Sequence, residues 1–521
     1  MKLTLMAPFR VHFCLDSRAL SHIYPGTAAD YFTFWDKLAE RVADRTEPSG
    51  ILGEVAYLHS ADTDARQRPE YFSIAEDTDV VPAASLIINP RYEATRLDDL
   101  WRSAMATELE AQRTNGTSVR DTAAGDWCAP FSADPSTLRL TVFDNTIAII
   151  ETTFDIAIDQ APFRSDPDEL QLFLRTTQGA ANRFIGALVD DYYARALHPF
   201  LLALYESQPP RSAYLLDPRS MTCFRDLDHA SANGSPQAGG TGRVKWVTRT
   251  LHLSAEERNA PNADTYRLIA RRWLADTGAY SDAEEIIENK RSFSFRWVNY
   301  LHWPRTLSVD DTDLADGWEA TLAYEDAWDA LKLAQYFYAT VDALNINLSL
   351  ILGSAYSRDA APAIRNLNDT LADITSRTKL VILNFREREK YLVRAKLDML
   401  RSMIFAAWDF DGFVTQTEEK AKLCEERIQQ IHNKSSERNG FVTDILLLLI
   451  GTVSFFGLAL DIARSAREFS TDATVGLRDE GLFDILSRIS SVPMDTVIGV
   501  AFISILGMVI IYGLFRWRKL L

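Results

Sequence analysis

The sequence predicts an α/β domain, followed by long stalk helices and a C-terminal two-helix transmembrane hairpin. Three observations support this fold class. Strand-like and helix-like segments alternate over residues 1–300, residues 315–433 have a mainly helical pattern, and two long apolar runs occupy residues 441–463 and 497–515. Because a helix of about 20 apolar residues spans the hydrocarbon core of a bilayer, each run is long enough to cross a membrane.

These patterns divide the chain into six parts. They are an α/β domain (1–300), a helical stalk (301–440), a first transmembrane helix (441–463), an inter-span loop (464–496), a second transmembrane helix (497–515) and a basic tail (516–521). The N-terminal segment lacks the apolar stretch of a secretory signal. We therefore expect a multi-pass protein of the plasma (inner) membrane, with a cytoplasmic body and both chain ends in the cytoplasm.

Composition excludes several functions. The net charge of −17 is unsuited to phosphate backbones, so we expect no nucleic-acid partner. The four cysteines are far apart and the eight histidines are scattered, and neither set forms the spacing of a zinc site, a disulfide framework or a nucleophile–histidine pair. We expect no enzymatic activity and no bound cofactor.

Within the first 300 residues, short apolar and alternating runs predict strands. These are Ile51–His59, Ala84–Asn89, Thr137–Phe143, Thr146–Ile158, Lys245–Leu253 and Ser292–Tyr300. Asp144 and Asn145 suit the tight turn of a hairpin. The glycine-rich stretch that ends at Arg243 lacks the Lys-Ser/Thr pair of a phosphate loop and predicts a plain connection.

Helical periodicity predicts six helices. These are Tyr31–Ala43, Leu97–Thr114, Glu169–Tyr205, Leu314–Ser357, Arg377–Trp408 and Val414–Ser435. A break is expected at Asp409–Gly412, because Asp and Gly favour helix caps and turns. The last helix leads directly into the first apolar run.

That last helix carries a narrow apolar seam at steps of three and four residues. Its members are Val414, Thr417, Ala421, Cys424, Ile428, Ile431 and Ser435. Such a seam is typical of a coiled coil. Two interpretations are open: the helix packs against copies of itself, or it packs against a neighbouring helix of the same subunit.

The C-terminal part of the chain resembles the CorA-type divalent-cation transporters. The likeness rests on a soluble α/β domain, a long helix entering the first span, and a second span closed by Arg516-Trp517-Arg518-Lys519. The resemblance implies a homopentamer in a lipid bilayer, with divalent cations such as Mg²⁺ as substrate or regulator. The family's Gly-Met-Asn signature is replaced by Gly457-Leu458-Ala459, which removes the asparagine amide and implies altered ion selectivity.

Two faces of the first span are candidates for lining a pore. One face is polar and consists of Asp444, Leu448, Gly451, Ser454, Phe455, Leu458 and Asp461. In a symmetric oligomer it gives two carboxylate rings, which suit cations. The other face continues the seam and is apolar, consisting of Ile445, Leu449, Thr452, Phe456 and Ala459. The sequence pattern does not decide which of the two faces lines a pore.

Two charged clusters have both a functional and a structural interpretation. The acidic cluster is Asp310, Asp311, Asp313 and Asp316, which either binds divalent cations or complements a helix dipole. The basic cluster is Arg386, Arg388, Lys390, Arg394 and Lys396. It either neutralises the acidic body and forms a collar that repels cations, or it binds a small anionic ligand.

The sequence thus predicts a CorA-like homo-oligomeric membrane channel or transporter for cations. The alternative is a membrane-embedded signalling effector, in which a cytoplasmic sensor domain responds to a ligand or partner and gates or perturbs the membrane. A third and weaker hypothesis makes the hairpin a plain anchor, but spans that carry Gly451, Thr452, Ser454 and Gly457 suit an anchor poorly.

Overall fold

The computed structural model describes most of the chain. The described residues are 1–15, 50–57, 84–114, 124–143, 145–157, 167–208, 215–217, 243–254, 268–269, 271–273, 291–292, 297–302, 305–310, 318–356, 364–388, 408–471, 488, 491–493, 495–496, 498–500 and 502–507. They form two compact units, Met1–Glu426 and Arg427–Leu521.

A mixed β-sheet forms the centre of the first unit. Its described strands are β1 (Lys2–Cys14), β2 (Glu54–Tyr57), β3 (Ala84–Asn89), β4 (Phe131–Phe143), β5 (Asn145–Ile156), β6 (Thr248–Leu253), β7 (Arg291–Ser292), β8 (Trp297–His302) and β9 (Arg305–Asp310). The order is β2-β3-β4-β5-β1-β6-β9-β8-β7. The pairing is antiparallel except between β6 and β9, which are parallel.

The structure confirms the predicted α/β class and most of the predicted strands. β3 has the predicted bounds, and β4 and β5 form the expected hairpin, in which Val142 pairs with Ala148. β1 was not predicted. It lies in the middle of the sheet between β5 and β6, and eleven of its thirteen residues are buried. Its odd-numbered residues are apolar, but a proline such as Pro8 argues against a strand in the middle of a sheet.

Besides helical residues at 268–269, 271–273, 488, 495–496, 498–500 and 502–507, seven α-helices have described bounds. They are α1 (Ala94–Thr114), α2 (Ala124–Cys128), α3 (Pro167–Tyr192), α4 (His198–Ser207), α5 (Trp318–Tyr356), α6 (Ile364–Arg388) and α7 (Phe410–Thr471). A five-residue π-helix, Tyr193–Leu197, joins α3 to α4. The predicted helix Tyr31–Ala43 lies outside the described residues, and α6 begins before the predicted Arg377.

One face of the sheet carries the apolar core. Alternate residues of β1, from Leu3 to Phe13, belong to this core together with α1 and α3. Trp101 of α1 is 2% exposed, and its ring centroid lies 4.6 Å from that of Phe154 and 5.7 Å from that of Phe184. Side chains on alternate positions of a strand share a face, so Thr4 and Met6 belong to the opposite face, where Gln335 of α5 contacts Met6.

That opposite face is covered by α5 and α6. Tyr336 of α5 stacks on Phe143 with ring centroids 4.2 Å apart, and its hydroxyl accepts a hydrogen bond of 3.0 Å from the Asn145 side-chain amide. Arg377 of α6 is 8% exposed and donates to the Asn145 side-chain oxygen at 3.1 Å. Asn145, predicted as a turn residue, therefore also holds two helices on the sheet.

The predicted break before the last stalk helix is confirmed. Asp409 has φ +49°, outside the helical region, and its carbonyl oxygen accepts from the Phe413 amide at the start of α7. A β-carbon added at Gly412 would lie 2.6 Å from the Asp409 carboxylate, so a larger residue there would displace that side chain. From there α7 continues as one helix of 62 residues.

Candidate functional site

The predicted polar face lies on α7, which continues without a break through residues 441–463. Because these positions follow one another at steps of three and four on one helix, they share a side of it. The described side chains of this face and of the signature position are exposed or half-buried: Leu448, Gly451, Ser454, Phe455, Gly457, Leu458 and Asp461. The side chains of Asp444 and Ala459 lie outside the described part of the chain. Pore lining stays a prediction.

Large apolar side chains on the same stretch of α7 are open to solvent in the single chain. Their exposed fractions range from 42% to 64%, for Leu446, Leu447, Ile450, Val453, Phe455, Leu458 and Ile462. In the second predicted span the exposed fractions range from 39% to 69%, for Ile498, Val500, Phe502, Ile503 and Leu506. Apolar surface of this extent marks an interaction surface rather than an ordinary soluble exterior.

No helix in the described part of the chain combines the length and the apolarity needed to cross a membrane. Residues 508–515 of the second predicted span and the tail 516–521 lie outside the described residues. The transmembrane hairpin and the membrane location stay predictions.

The seam is buried within one subunit as far as the structure describes it. Val414, Thr417, Ala421 and Cys424 are at most 7% exposed. A cavity of about 280 Å³ lies between α6 and α7, lined by Ile382 and Ala421 among others. For positions 414–424 the structure therefore favours packing inside one subunit over self-association. The side chains of Ile428 and Ile431 lie outside the described part.

The basic cluster begins on α6 with residues that pair with α7. Arg386 forms an ion pair with Glu418 at 2.9 Å, and Lys379 forms one with Glu425. Both pairs are exposed by 40% or more on each side chain. Neutralisation of neighbouring acids thus accounts for Arg386. The Arg388 side chain and residues Lys390, Arg394 and Lys396 lie outside the described part, where the collar and anion hypotheses stay predictions.

Of the acidic cluster, only the first residue, Asp310, lies in the described part of the chain. Asp310 is the last residue of β9, whereas Asp311, Asp313 and Asp316 lie outside the described residues. Where the chain is described, no group of three or more histidine, cysteine or acidic side chains is arranged to hold a metal ion. A cation site at Asp310 stays a prediction.

A polar layer lies between α5 and the sheet. Glu151 of β5 forms an ion pair with Lys332 of α5 at 2.7 Å, and the two side chains are 8% and 10% exposed. The indole N–H of Trp328 donates to the same carboxylate at 2.7 Å. His252 of β6 lies beside Trp328, with ring centroids 5.8 Å apart, and its Nε2 is 3.1 Å from the Thr4 hydroxyl. No sequence motif indicated this layer, because its members come from four distant segments.

Within this layer, the buried His252 leads us to expect that the free energy of unfolding depends on pH. Burial, and then Lys2, lowers the pKa of His252 from 6.5 to about 4. Between these values the unfolded state binds more protons than the folded state, so the free energy of unfolding falls as the pH drops. We expect this group to contribute a loss of up to about 3 kcal/mol between about pH 6.5 and 4.

The measurement is urea unfolding of the wild type and His252→Gln, followed by tryptophan fluorescence at about pH 7 and about pH 5. The glutamine keeps a polar side chain near Thr4 but does not titrate in this range. The variant should lose less stability than the wild type on acidification. The same loss in both proteins would contradict the assignment.

Four side chains form a second polar group on the first unit, which we call the His–Tyr–Arg cluster: His12, Tyr193, His198 and Arg243. The Tyr193 hydroxyl is hydrogen-bonded to Nδ1 of His12 and, at 3.0 Å, to Nδ1 of His198. The Arg243 guanidinium carbon lies 4.0 Å from the centroid of the Tyr193 ring. A hydroxyl has one proton to donate, so it donates to one imidazole and accepts from the Nδ1–H of the other.

Irregular backbone brings this cluster together. Tyr193 begins the π-helix, and His198 directly follows it. His12 lies where the register between β1 and β5 shifts, between Arg10 and Cys14. Such bulges redirect side chains and are frequent at functional sites. Sequence analysis missed the cluster, since only contact of β1 with the π-helix region joins residues so distant in the chain.

Electrostatics distinguishes the members of the cluster. Burial raises the pKa of Tyr193, an effect that Arg243 opposes. Burial, and then the charge of Arg243, lowers the pKa of His198. At neutral pH the tyrosine is therefore protonated and His198 is neutral, while Arg243 carries a positive charge.

Comparisons with known proteins do not identify the chain. It matches no known protein family and no curated protein. Among solved structures it is similar to one titled "structure of the full-length CmaX protein", with 16% identity and a TM-score of 0.20. That match covers 52% of this chain and 89% of the other. So distant a likeness adds nothing to the assignment of function.

Proposed function

We propose that the chain is a homo-oligomeric membrane channel or transporter for cations, built on the plan of the CorA-type transporters and altered in selectivity. The observation that carries this proposal is the exposure of large apolar side chains on α7 beside a line of small and polar residues. In the proposal the body and both chain ends lie on the cytoplasmic side of the plasma (inner) membrane.

The exposed apolar side chains of α7 are unfavourable in water and are expected to be buried against lipid or protein. Burying each large aliphatic or aromatic side chain contributes about 1.5–3 kcal/mol, so leaving Leu447, Ile450 and Val453 in water is unfavourable. Lipid covers the sides of α7 that face outward in an oligomer. In the proposal Gly451, Ser454 and Asp461 face the other subunits, and Leu447, seven residues before Ser454, lies on that side of α7 with them.

The polar side suits the passage of cations. Carboxylates repeated by symmetry form a ring that concentrates cations at a pore mouth, and hard divalent cations such as Mg²⁺ prefer oxygen ligands. Asp461 is exposed in the single chain and so is open to such a role. Because Leu458 and Ala459 offer no side-chain amide, we propose selectivity different from that of transporters with Gly-Met-Asn.

Divalent-cation flux into proteoliposomes tests the proposal. The purified full-length chain is reconstituted, and uptake of Mg²⁺, Co²⁺ and Ni²⁺ is compared for the wild type and Asp461→Asn. We expect saturable uptake that falls by at least about tenfold in the variant, because the carboxylate ring is lost.

Glu419→Gln is the matched control, since it removes one exposed carboxylate from the stalk portion of the same helix. It should leave uptake unchanged. Absence of flux from a folded, membrane-inserted oligomer would refute the channel proposal. Equal flux in the wild type and Asp461→Asn would remove Asp461 from the path.

A membrane-embedded signalling effector is the second candidate, and the His–Tyr–Arg cluster favours it. A half-buried arginine beside two histidines suits recognition of a ligand by the body of the protein. Under this hypothesis the reconstituted chain is silent alone and perturbs the membrane only after a ligand binds. Dye release from vesicles, measured with and without candidate ligands, separates the two functions.

A further inference from the structure

We propose that the His–Tyr–Arg cluster binds a phosphate group. The inference is independent of ion flux, since it concerns the first compact unit and its test is a binding measurement. Its basis is a positioned guanidinium that lacks a counter-charge among the described residues, with two imidazoles beside it.

Backbone contacts fix Arg243 in place. Its carbonyl oxygen accepts a hydrogen bond of 3.0 Å from the Arg10 amide, and the Lys245 amide donates to the Pro8 carbonyl at 2.9 Å. This short stretch therefore pairs with β1, the strand that carries His12. The guanidinium rests against the Tyr193 ring, an arrangement that a cation–π interaction stabilises. A site positioned before the ligand arrives loses little entropy on binding.

The charge of Arg243 is uncompensated where the structure is described. No carboxylate forms an ion pair with it, and its Nη1 is buried without a hydrogen-bond acceptor among the described residues. Lys245, two residues away, shows the contrast, since it pairs with Asp342 at 2.9 Å. Burial of a charged group without a counter-ion is costly, and an anion held at the accessible side of the guanidinium lowers that cost. Arg243 is half-buried rather than enclosed, so a solute can approach it.

The set of donors favours a phosphate over a carboxylate. A guanidinium takes two oxygens of an anion with its planar fork. These are all the oxygens that a carboxylate has, whereas a phosphate keeps at least one more for an imidazole N–H. His12 and His198 lie within 5.4 Å of each other, measured between ring centroids, and hydrogen bonds to Tyr193 orient both rings.

Calorimetric titration of the full-length protein in detergent with inorganic phosphate, at constant ionic strength, tests the inference. We expect wild-type binding and at least tenfold weaker binding by Arg243→Gln, which keeps a polar side chain but loses the charge. Arg243→Lys, which keeps the charge and loses the fork, should also bind more weakly. Arg102→Gln is the matched control: Arg102 is 65% exposed on α1, and its loss should not alter binding.

Three further arms identify the source of the phosphate. AMP represents a soluble nucleotide, a short-chain phosphatidate represents a lipid headgroup, and acetate represents a carboxylate. The proposal is supported if any phosphate compound binds and this binding depends on Arg243. The compound with the highest affinity then identifies the source of the phosphate. Equal binding of acetate and phosphate overturns the assignment to phosphate. Failure of the folded wild type to bind any phosphate compound, or equal binding by Arg243→Gln, overturns the site.

Discussion

Replacing Lys332 by methionine is expected to destabilise the first compact unit by about 3–5 kcal/mol. The substitution leaves the Glu151 carboxylate, which is 8% exposed, without its cationic partner. Methionine fills a similar volume, so the loss comes from an uncompensated buried charge rather than from a cavity. The measurement is the free energy of unfolding in urea, followed by tryptophan fluorescence.

The double variant Glu151→Gln/Lys332→Met should recover most of the lost stability. Its glutamine carbonyl still accepts from the Trp328 indole, and no charge remains in the polar layer. Lys379→Met is the matched control, because it breaks an ion pair whose side chains are 52% and 46% exposed. Exposed pairs contribute about 0–1 kcal/mol, so its effect should be small. A double variant as unstable as Lys332→Met would contradict the charge explanation.

Cysteines placed at three consecutive positions of α7 should decide which face lines a pore. Gly451, Thr452 and Val453 point in directions about 100° apart, because an α-helix has 3.6 residues per turn. Gly451 belongs to the polar face, Thr452 belongs to the apolar face, and Val453 lies on neither. A cysteine fits at position 451, since an added β-carbon there meets no atom within 4 Å.

Under the channel proposal, a membrane-impermeant cationic thiol reagent should abolish flux through Gly451→Cys and leave Val453→Cys unaffected. Inhibition at Thr452→Cys instead would assign the pore to the apolar face. No inhibition at any of the three would show that α7 does not line the path. Native thiols interfere little: burial raises the pKa of Cys128 and Cys424 to about 11, and Cys14 is also buried. Cys223 is replaced by serine in the test background.

Local patterns in the sequence predicted local structure well. The Ala84–Asn89 strand, the β4–β5 hairpin and the break at Asp409 each depend on a few adjacent residues, and the structure confirms all three. β1 escaped prediction because Pro8 interrupts it and a proline argues against a central strand, although its apolar residues alternate from Leu3 to Phe13. The seam predicted a contact but not its partner, which for positions 414–424 lies in the same subunit.

The candidate sites show the same difference between features set by nearby residues and features set by residues far apart in the chain. The polar face of α7 follows from spacing on one helix, which the sequence contains in full. The His–Tyr–Arg cluster does not, because His12, Tyr193 and Arg243 meet only when β1 lies against the π-helix region and residues 243–245 pair with β1. No spacing rule connects residues so far apart, and the π-helix has no sequence signature to mark it.

The central place of β1 has a consequence for how the protein is made. Lys2 pairs with Asp155 on one side and with His252 on the other, so β1 leaves the ribosome before both of its neighbours and waits for them. At about 5–20 residues per second, β6 follows β1 by tens of seconds. During that interval an apolar strand with two open edges is prone to aggregation. Production of the protein should therefore benefit from chaperones that cover β1 during this interval.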